Sequence, residues 1–165
     1  MMRTYSKNYL KLIDFIKNNQ EDFYRIAYSY VKSKEASLDI VQEAIYKALK
    51  SIEGLQNRKY MKTWFYRILI NTSISYIRSN KEVMMIGELC EEPSSKIYTK
   101  EDYLDLYDAI DLLKEKEKTV IILRYFEDMK IDDIAKVTDV NVNTIKSRIY
   151  SATKRLKTLL DCEEE

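Results

Sequence analysis

At 165 residues, with 45% hydrophobic and 33% charged side chains and a net charge of +1, the chain is globular in composition and fits one ordinary domain or two small ones. Histidine is absent and the two cysteines, Cys90 and Cys162, lack CxxC spacing, which removes the usual general base, the Ser-His and Cys-His nucleophile pairs and a structural zinc site, so no enzyme, metal or cofactor is expected. Two glycines and one proline favour an all-helical fold, no apolar run approaches the ~18 residues of a membrane span, and the basic start leads into LIDFIKNNQED rather than an apolar secretory segment, so a cytoplasmic protein is expected.

The small net charge conceals segregation. Residues 1–85 carry 15 basic and 8 acidic side chains, residues 86–117 carry 4 and 10, residues 118–160 carry 9 and 5, and residues 161–165 hold four acids and no base. Two basic blocks therefore flank an acidic stretch, and two basic modules on a tether can meet a polyanion at two places.

In the first block, Phe23, Ile26, Ala27, Tyr30 and Val31 form one helical stripe, and Val41, Ala44, Ile45, Ala48, Leu49 and Ile52 form a second. Asp39, Gln42 and Glu43 fall off the second stripe. An acid and amide patch on a basic module is either a solvated face or a docking surface for a basic partner. A third helix is predicted from Lys59 to Arg78, with Trp64, Phe65, Ile68 and Leu69 toward the core and Lys62, Arg67 and Arg78 supplying charge. Aromatic and basic side chains interleave there as they do where bases stack on rings and phosphates meet cations. Asn71, Thr72, Ser73 and Ser75 are poor choices for a helix interior, which suggests polar side chains turned toward a ligand.

The stretch GELCEEPSSKIYTKED, Gly87 to Asp102, contains the only proline and lacks helical apolar spacing, and it reads as a linker. Beyond it, Leu104, Tyr107, Ala109, Ile110 and Leu113 predict one helix, and Val120, Ile121, Leu123 and Arg124 the next. Ile131, Ile134, Ala135 and Val137 then mark a short amphipathic helix with Asp132 and Asp133 in its first turn, at the positive end of the helix dipole. This helix should stop near Thr138 and Asp139, because aspartate tolerates left-handed backbone, and Asn141 suits the N-cap of a following helix. Two helices across so short a turn form a helix-turn-helix. On the second of them Ile145, Ile149, Ala152 and Leu156 cluster as a core face, while Asn143, Ser147, Tyr150 and Lys154 point away from it. Lys146 lies on one flank and Thr144, Arg148, Ser151 and Arg155 on the other. Such a face either reads a DNA groove or is a solvated basic surface on a bundle helix.

Three segments in this order resemble the extracytoplasmic-function group of the sigma-70 RNA polymerase sigma factors: DIVQEAIYKAL (Asp39 to Leu49), KTWFYRILIN (Lys62 to Asn71) and IDDIAKVTDVNVNTIKSRIYSA (Ile131 to Ala152). They are similar to that family's DLVQE, TWLYRIARN and EIA...TVKSR segments. The resemblance implies an all-α protein of two small helical domains. These are a region 2 bundle over residues 1–85 and a region 4 helix-turn-helix domain over 104–160, with a flexible acidic linker at 86–103 and an acidic tail at 161–165. It further implies an alternative sigma factor that binds the β′ and β subunits of core RNA polymerase and directs promoter-specific initiation, with no small-molecule substrate. Asp39, Gln42 and Glu43 would dock on the polymerase β′ coiled coil. Lys62, Thr63, Arg67 and Asn71 would meet the −10 element, and Asn143, Thr144, Lys146, Ser147, Arg148, Tyr150 and Ser151 the −35 element. The linker would lie beside the RNA exit path.

Several positions depart from the family pattern. Ser151 stands where members often carry an arginine, which leaves out the bidentate guanine contact. Asp139 and Asn143 replace frequent glycines of the turn, and Lys114 replaces a usual proline. In detail the chain resembles the sigma V type, whose members are held by membrane-bound anti-sigma factors until cell-envelope stress releases them. The alternative is an autonomous helix-turn-helix regulator, for which the first two segments would have no use.

Overall fold

A computed structural model of the chain describes residues 6–86 and 106–161, and among these every regular element is helical. The chain divides into two compact units, residues 1–83 and 84–165. The acidic stretch 87–103, Leu104 and the tail 162–165 lie outside the described residues.

The first unit contains α1 (Lys7–Asn18), α2 (Gln20–Val31), α3 (Lys34–Ser51) and all but the last three residues of α4 (Met61–Ile86). Serine side chains start α1 and α3. Ser6 Oγ accepts from the Tyr9 amide at 3.2 Å before α1, and Ser33 Oγ from the Ala36 amide at 3.3 Å before α3, so each hydroxyl satisfies an amide that has no partner within its helix. Between α2 and α3, Lys32 takes the left-handed conformation that ends a helix, at φ 52°. Two single 3₁₀ turns, Ile52–Gly54 and Arg58–Tyr60, lead into α4.

An aromatic cluster forms the centre of this unit. The Phe23 and Phe65 rings lie 4.4 Å apart, Phe15 sits 5.6 Å from Phe23 and 5.7 Å from Phe65, and Tyr66 meets the Phe23 ring edge-on at 5.7 Å. Phe23, Phe65 and Tyr66 have no exposed surface. These rings draw α1, α2 and α4 together. Phe23→Ala is expected to destabilise the unit by about 3–5 kcal/mol through lost burial and the cavity left behind, measured as a lower midpoint in chemical denaturation.

The third helix differs from its sequence expectation in extent and in face. It starts at Met61, after a 3₁₀ turn, and runs to Ile86. Its inward strip is Met61, Phe65, Tyr66, Leu69 and Ile70, while Trp64 and Ile68 are only half-buried. Thr72 and Ser73, expected to face a ligand, are buried. Ser73 Oγ donates to the Leu69 carbonyl at 2.9 Å, so its hydroxyl is satisfied inside its own helix and burial leaves no polar atom stranded.

The second unit contains α5 (Leu106–Asp111), α6 (Glu115–Ile121), α7 (Ile131–Thr138) and α8 (Val142–Asp161). The chain passes from α6 directly into one π turn, Ile122–Phe126. Arg124 then donates to the Met129 carbonyl at 2.9 Å, closing the loop that enters α7. Ala109, Ile110, Leu113, Ile121, Ala152 and Leu156 pack as one cluster, so α5, α6 and α8 share a core. Tyr107, expected on the apolar stripe of α5, is instead 64% exposed and packs its ring 6.0 Å from that of Phe126.

Candidate polymerase and promoter interfaces

Geometry at the α7–α8 junction follows from two residues. Asp139 ends α7 in left-handed backbone, φ 55° and ψ 46°, and its amide bonds to the Ala135 carbonyl. Asn141 Oδ1 then accepts from the Asn143 amide at 2.7 Å, and the Asn141 carbonyl takes the Ile145 amide at 3.0 Å. One residue turns the chain and the other starts the next helix, as expected. Three residues suffice for the connection, and it holds α7 against α8 in a helix-turn-helix.

With about 100° between successive residues, the seven candidate −35 contacts of α8 occupy one continuous arc. Lys146 begins it, Tyr150, Asn143, Ser147 and Ser151 follow, and Thr144 and Arg148 close it. Ile145, Ala152 and Leu156 are buried on the opposite side. Arg148 is half-buried and the other six are exposed, Tyr150 at 74%. A helix of this kind presents Asn, Ser, Thr and Tyr side chains to base edges, with cations at both margins to meet the two phosphate rows of a groove. Ser151 is already engaged within the protein: its Oγ donates to Glu117 Oε1 of α6 at 3.0 Å.

In the first unit, Asp39, Gln42 and Glu43 are all exposed on α3 at positions i, i+3 and i+4, the spacing that gathers side chains on one face. Ile40, Ala44 and Ala48 fix the opposite face in the core. Glu43 pairs with Lys47 at 3.3 Å, and Lys47 Nζ also donates to Thr72 Oγ1 of α4 at 3.4 Å. Exposed ion pairs of this kind contribute well under about 1 kcal/mol to stability, so the carboxylates of this strip are exchangeable without loss of the fold.

The four candidate −10 contacts are gathered less completely. Thr63, Arg67 and Asn71 follow one another within about 80° of helix azimuth, with Arg67 and Asn71 exposed and Thr63 half-buried. Lys62 is exposed but lies in the first turn on the azimuth of the buried strip, and its ammonium sits 5.7 Å from the centre of the Tyr66 ring. Its charge is held by that π face at the start of the helix rather than beside Arg67. Asn71 and Ser75 are the outward members of the polar run, while Thr72 and Ser73 turn inward.

Among the described residues, no helix is long and apolar enough to cross a membrane. Sequence reasoning missed two residues of these faces. Tyr46, 60% exposed one turn beyond Gln42 and Glu43, extends the α3 strip with Lys50 over its ring. Glu117 reaches Ser151 of the α8 arc from another helix, a placement for which the sequence carries no local signal.

Comparison with known proteins accords with both units. Residues 15–83 match the family described as Sigma-70 region 2, and residues 103–156 match Sigma-70, region 4. RNA polymerase sigma factor SigV of Bacillus subtilis is 44% identical over 156 residues, covering 93% of each chain. The ECF RNA polymerase sigma-E factor of Haemophilus influenzae is 27% identical, over 88% of this chain and 92% of its own. Among solved structures, the sigma factor RpoE from Bartonella quintana, in complex with the anti-sigma factor NepR, shares the fold with a TM-score of 0.68 at 24% identity, over 90% of this chain and 97% of that one. CnrH, in complex with the cytosolic domain of CnrY, gives a TM-score of 0.70 at 17% identity, over 96% and 92%. Two family regions matched in order along most of the chain, together with a relative at 44% identity, mean that the protein belongs to the sigma-70 family of RNA polymerase sigma factors, in its extracytoplasmic-function group.

Proposed function

We propose that the protein is an alternative sigma factor that binds core RNA polymerase, carries it to promoters with a cognate −10 and −35 element, and is kept inactive by an anti-sigma factor. The observation that carries this reading is the presence of region 2 and region 4 in one chain, each with a polar face turned to solvent. In this reading Asp39, Gln42 and Glu43 bind the β′ coiled coil. Arg67 and Asn71 meet the −10 strand once it is unpaired, with Thr63 beside them and Lys62 at the helix start. Bases are flat π surfaces with polar edges, so an exposed amide and guanidinium beside half-buried Trp64 suit an unstacked strand.

Asn143, Thr144, Lys146, Ser147, Arg148, Tyr150 and Ser151 read the −35 duplex from the major groove. Control by an anti-sigma factor is supported by the two solved relatives whose partners are an anti-sigma factor and a cytosolic domain. A membrane-bound partner, a trigger in cell-envelope stress, a cytoplasmic location and the lack of any catalytic step complete the proposal. An autonomous helix-turn-helix regulator would leave the region 2 match without a purpose.

Transcription in vitro tests the reading directly. Core polymerase supplied with this protein is expected to initiate at cognate promoters, and core alone is not. Failure to initiate anywhere in a promoter library, with core proven active by another sigma factor, would overturn it.

A further inference from the structure

The Ser151 hydroxyl lies within the α8 arc, on the side that Thr144 and Arg148 close, and its proton is directed toward α6. Its Oγ donates to Glu117 Oε1 at 3.0 Å, while Glu117 Oε2 accepts from the Lys114 backbone amide at a longer 3.4 Å. Packing holds this arrangement in place: Ala152, next to Ser151, and Ile121, one turn after Glu117, belong to the same buried cluster. Lys114 and Ser151 are also two positions of this unit where the chain departs from the family pattern, and each of them bonds to Glu117. Lys114 has φ −61°, a value proline would also take, but only a residue other than proline offers the amide that anchors the carboxylate. One glutamate therefore links both departures.

We propose that Glu117 is a positioning residue that sets promoter specificity: by accepting the hydrogen bond of the Ser151 hydroxyl, it leaves that serine only lone pairs to offer, so the base it faces must be a donor. The inference rests on the assignment of α8 to the −35 element. A serine hydroxyl has one donor and two acceptor sites, and an unconstrained serine reads either kind of edge. In the major groove, adenine and cytosine present amino donors, whereas guanine and thymine present acceptors at the corresponding positions. The Glu117 carboxylate adds negative charge behind the serine and disfavours acceptor edges further. The expected preference is opposite in sign to the guanine contact of an arginine.

The test is transcription by reconstituted holoenzyme from promoters randomised across the −35 element, with enrichment read column by column. In the wild type, the column altered by Ser151→Ala should favour A or C over G or T by about threefold to tenfold, the worth of one ordinary hydrogen bond. Glu117→Ala and Glu117→Met should both bring that column toward parity while the other columns hold. Methionine keeps the side-chain length and helix propensity and so maintains packing if alanine does not. In a Ser151→Ala background, neither Glu117 change should alter the column further, an outcome that a purely structural role for Glu117 would not give.

A column that Ser151→Ala leaves unchanged, one that favours G or T, or one indifferent to Glu117→Met in folded protein would overturn the inference. If the −35 block is enriched and depends on Lys146 and Arg148, such a failure falls on the inference alone. A library with no enriched −35 block would overturn the −35 assignment as well.

Discussion

Asp39→Lys combined with Glu43→Lys is expected to abolish binding to core polymerase while leaving the helical fold intact. Both carboxylates are exposed and one turn apart on α3, so the double change reverses the charge of the strip without touching the core residues Ile40, Ala44 and Ala48. The only ion pair lost among those described here is Glu43 with Lys47, an exposed contact separated by one turn. The resulting like-charge pair costs about 0.2–0.5 kcal/mol of helix stability. Across an interface the same reversal is far more costly, because it turns an attraction to basic partner residues into repulsion at close range. Binding measured against fluorescent core polymerase should fall by more than about a thousandfold, on the scale of a lost pair of close charge contacts. Helical circular dichroism should be unchanged, and an unaltered affinity would refute the docking role of this face.

Lys146→Ala with Arg148→Ala should reduce transcription from −35-dependent promoters on the order of a hundredfold, since each lost contact to base or phosphate is worth roughly 1–3 kcal/mol. The two residues stand at opposite margins of the α8 arc, so the double variant removes cations from both sides of the groove. Removing two phosphate contacts also releases fewer counterions, and the dependence of log K on log salt should become shallower by about 1 to 2 units. Salt titration therefore separates a lost DNA contact from a damaged fold, in which the slope need not change. Full activity at every −35 sequence and an unchanged slope would remove these residues from the interface.

Much of this architecture was legible in the sequence because apolar spacing records which side of a helix is buried. The α8 wheel, the left-handed stop at Asp139 and the cap at Asn141 all rest on local chemistry, and all three are present in the structure. Helix α1 was not read, although Ser6 before LKLIDFI carried a cap and the apolar spacing of Leu12 and Ile16. On α4, helix propensity points Thr72, Ser73 and Ser75 toward a ligand, yet Thr72 and Ser73 are buried. Ser73 bonds back to the carbonyl of Leu69, four residues earlier, which makes a small polar side chain as easy to bury as an alanine. Trp64 and Ile68 moved the other way, to the half-exposed edge, because Tyr66 and Ile70 fill the core beside Phe65. The bond from Ser151 to Glu117 spans 34 residues and depends on how α6 and α8 pack, which helical periodicity cannot encode.

Lys47 spans two tasks that are usually discussed separately. Its ammonium contacts Glu43, on the strip proposed to hold polymerase, and Thr72, next to the Asn71 proposed to meet the promoter strand. In the proposed reading, one ammonium therefore touches the supports of both faces. A swap that transplants only one of the two helices into another sigma factor would sever this lysine bridge between α3 and α4.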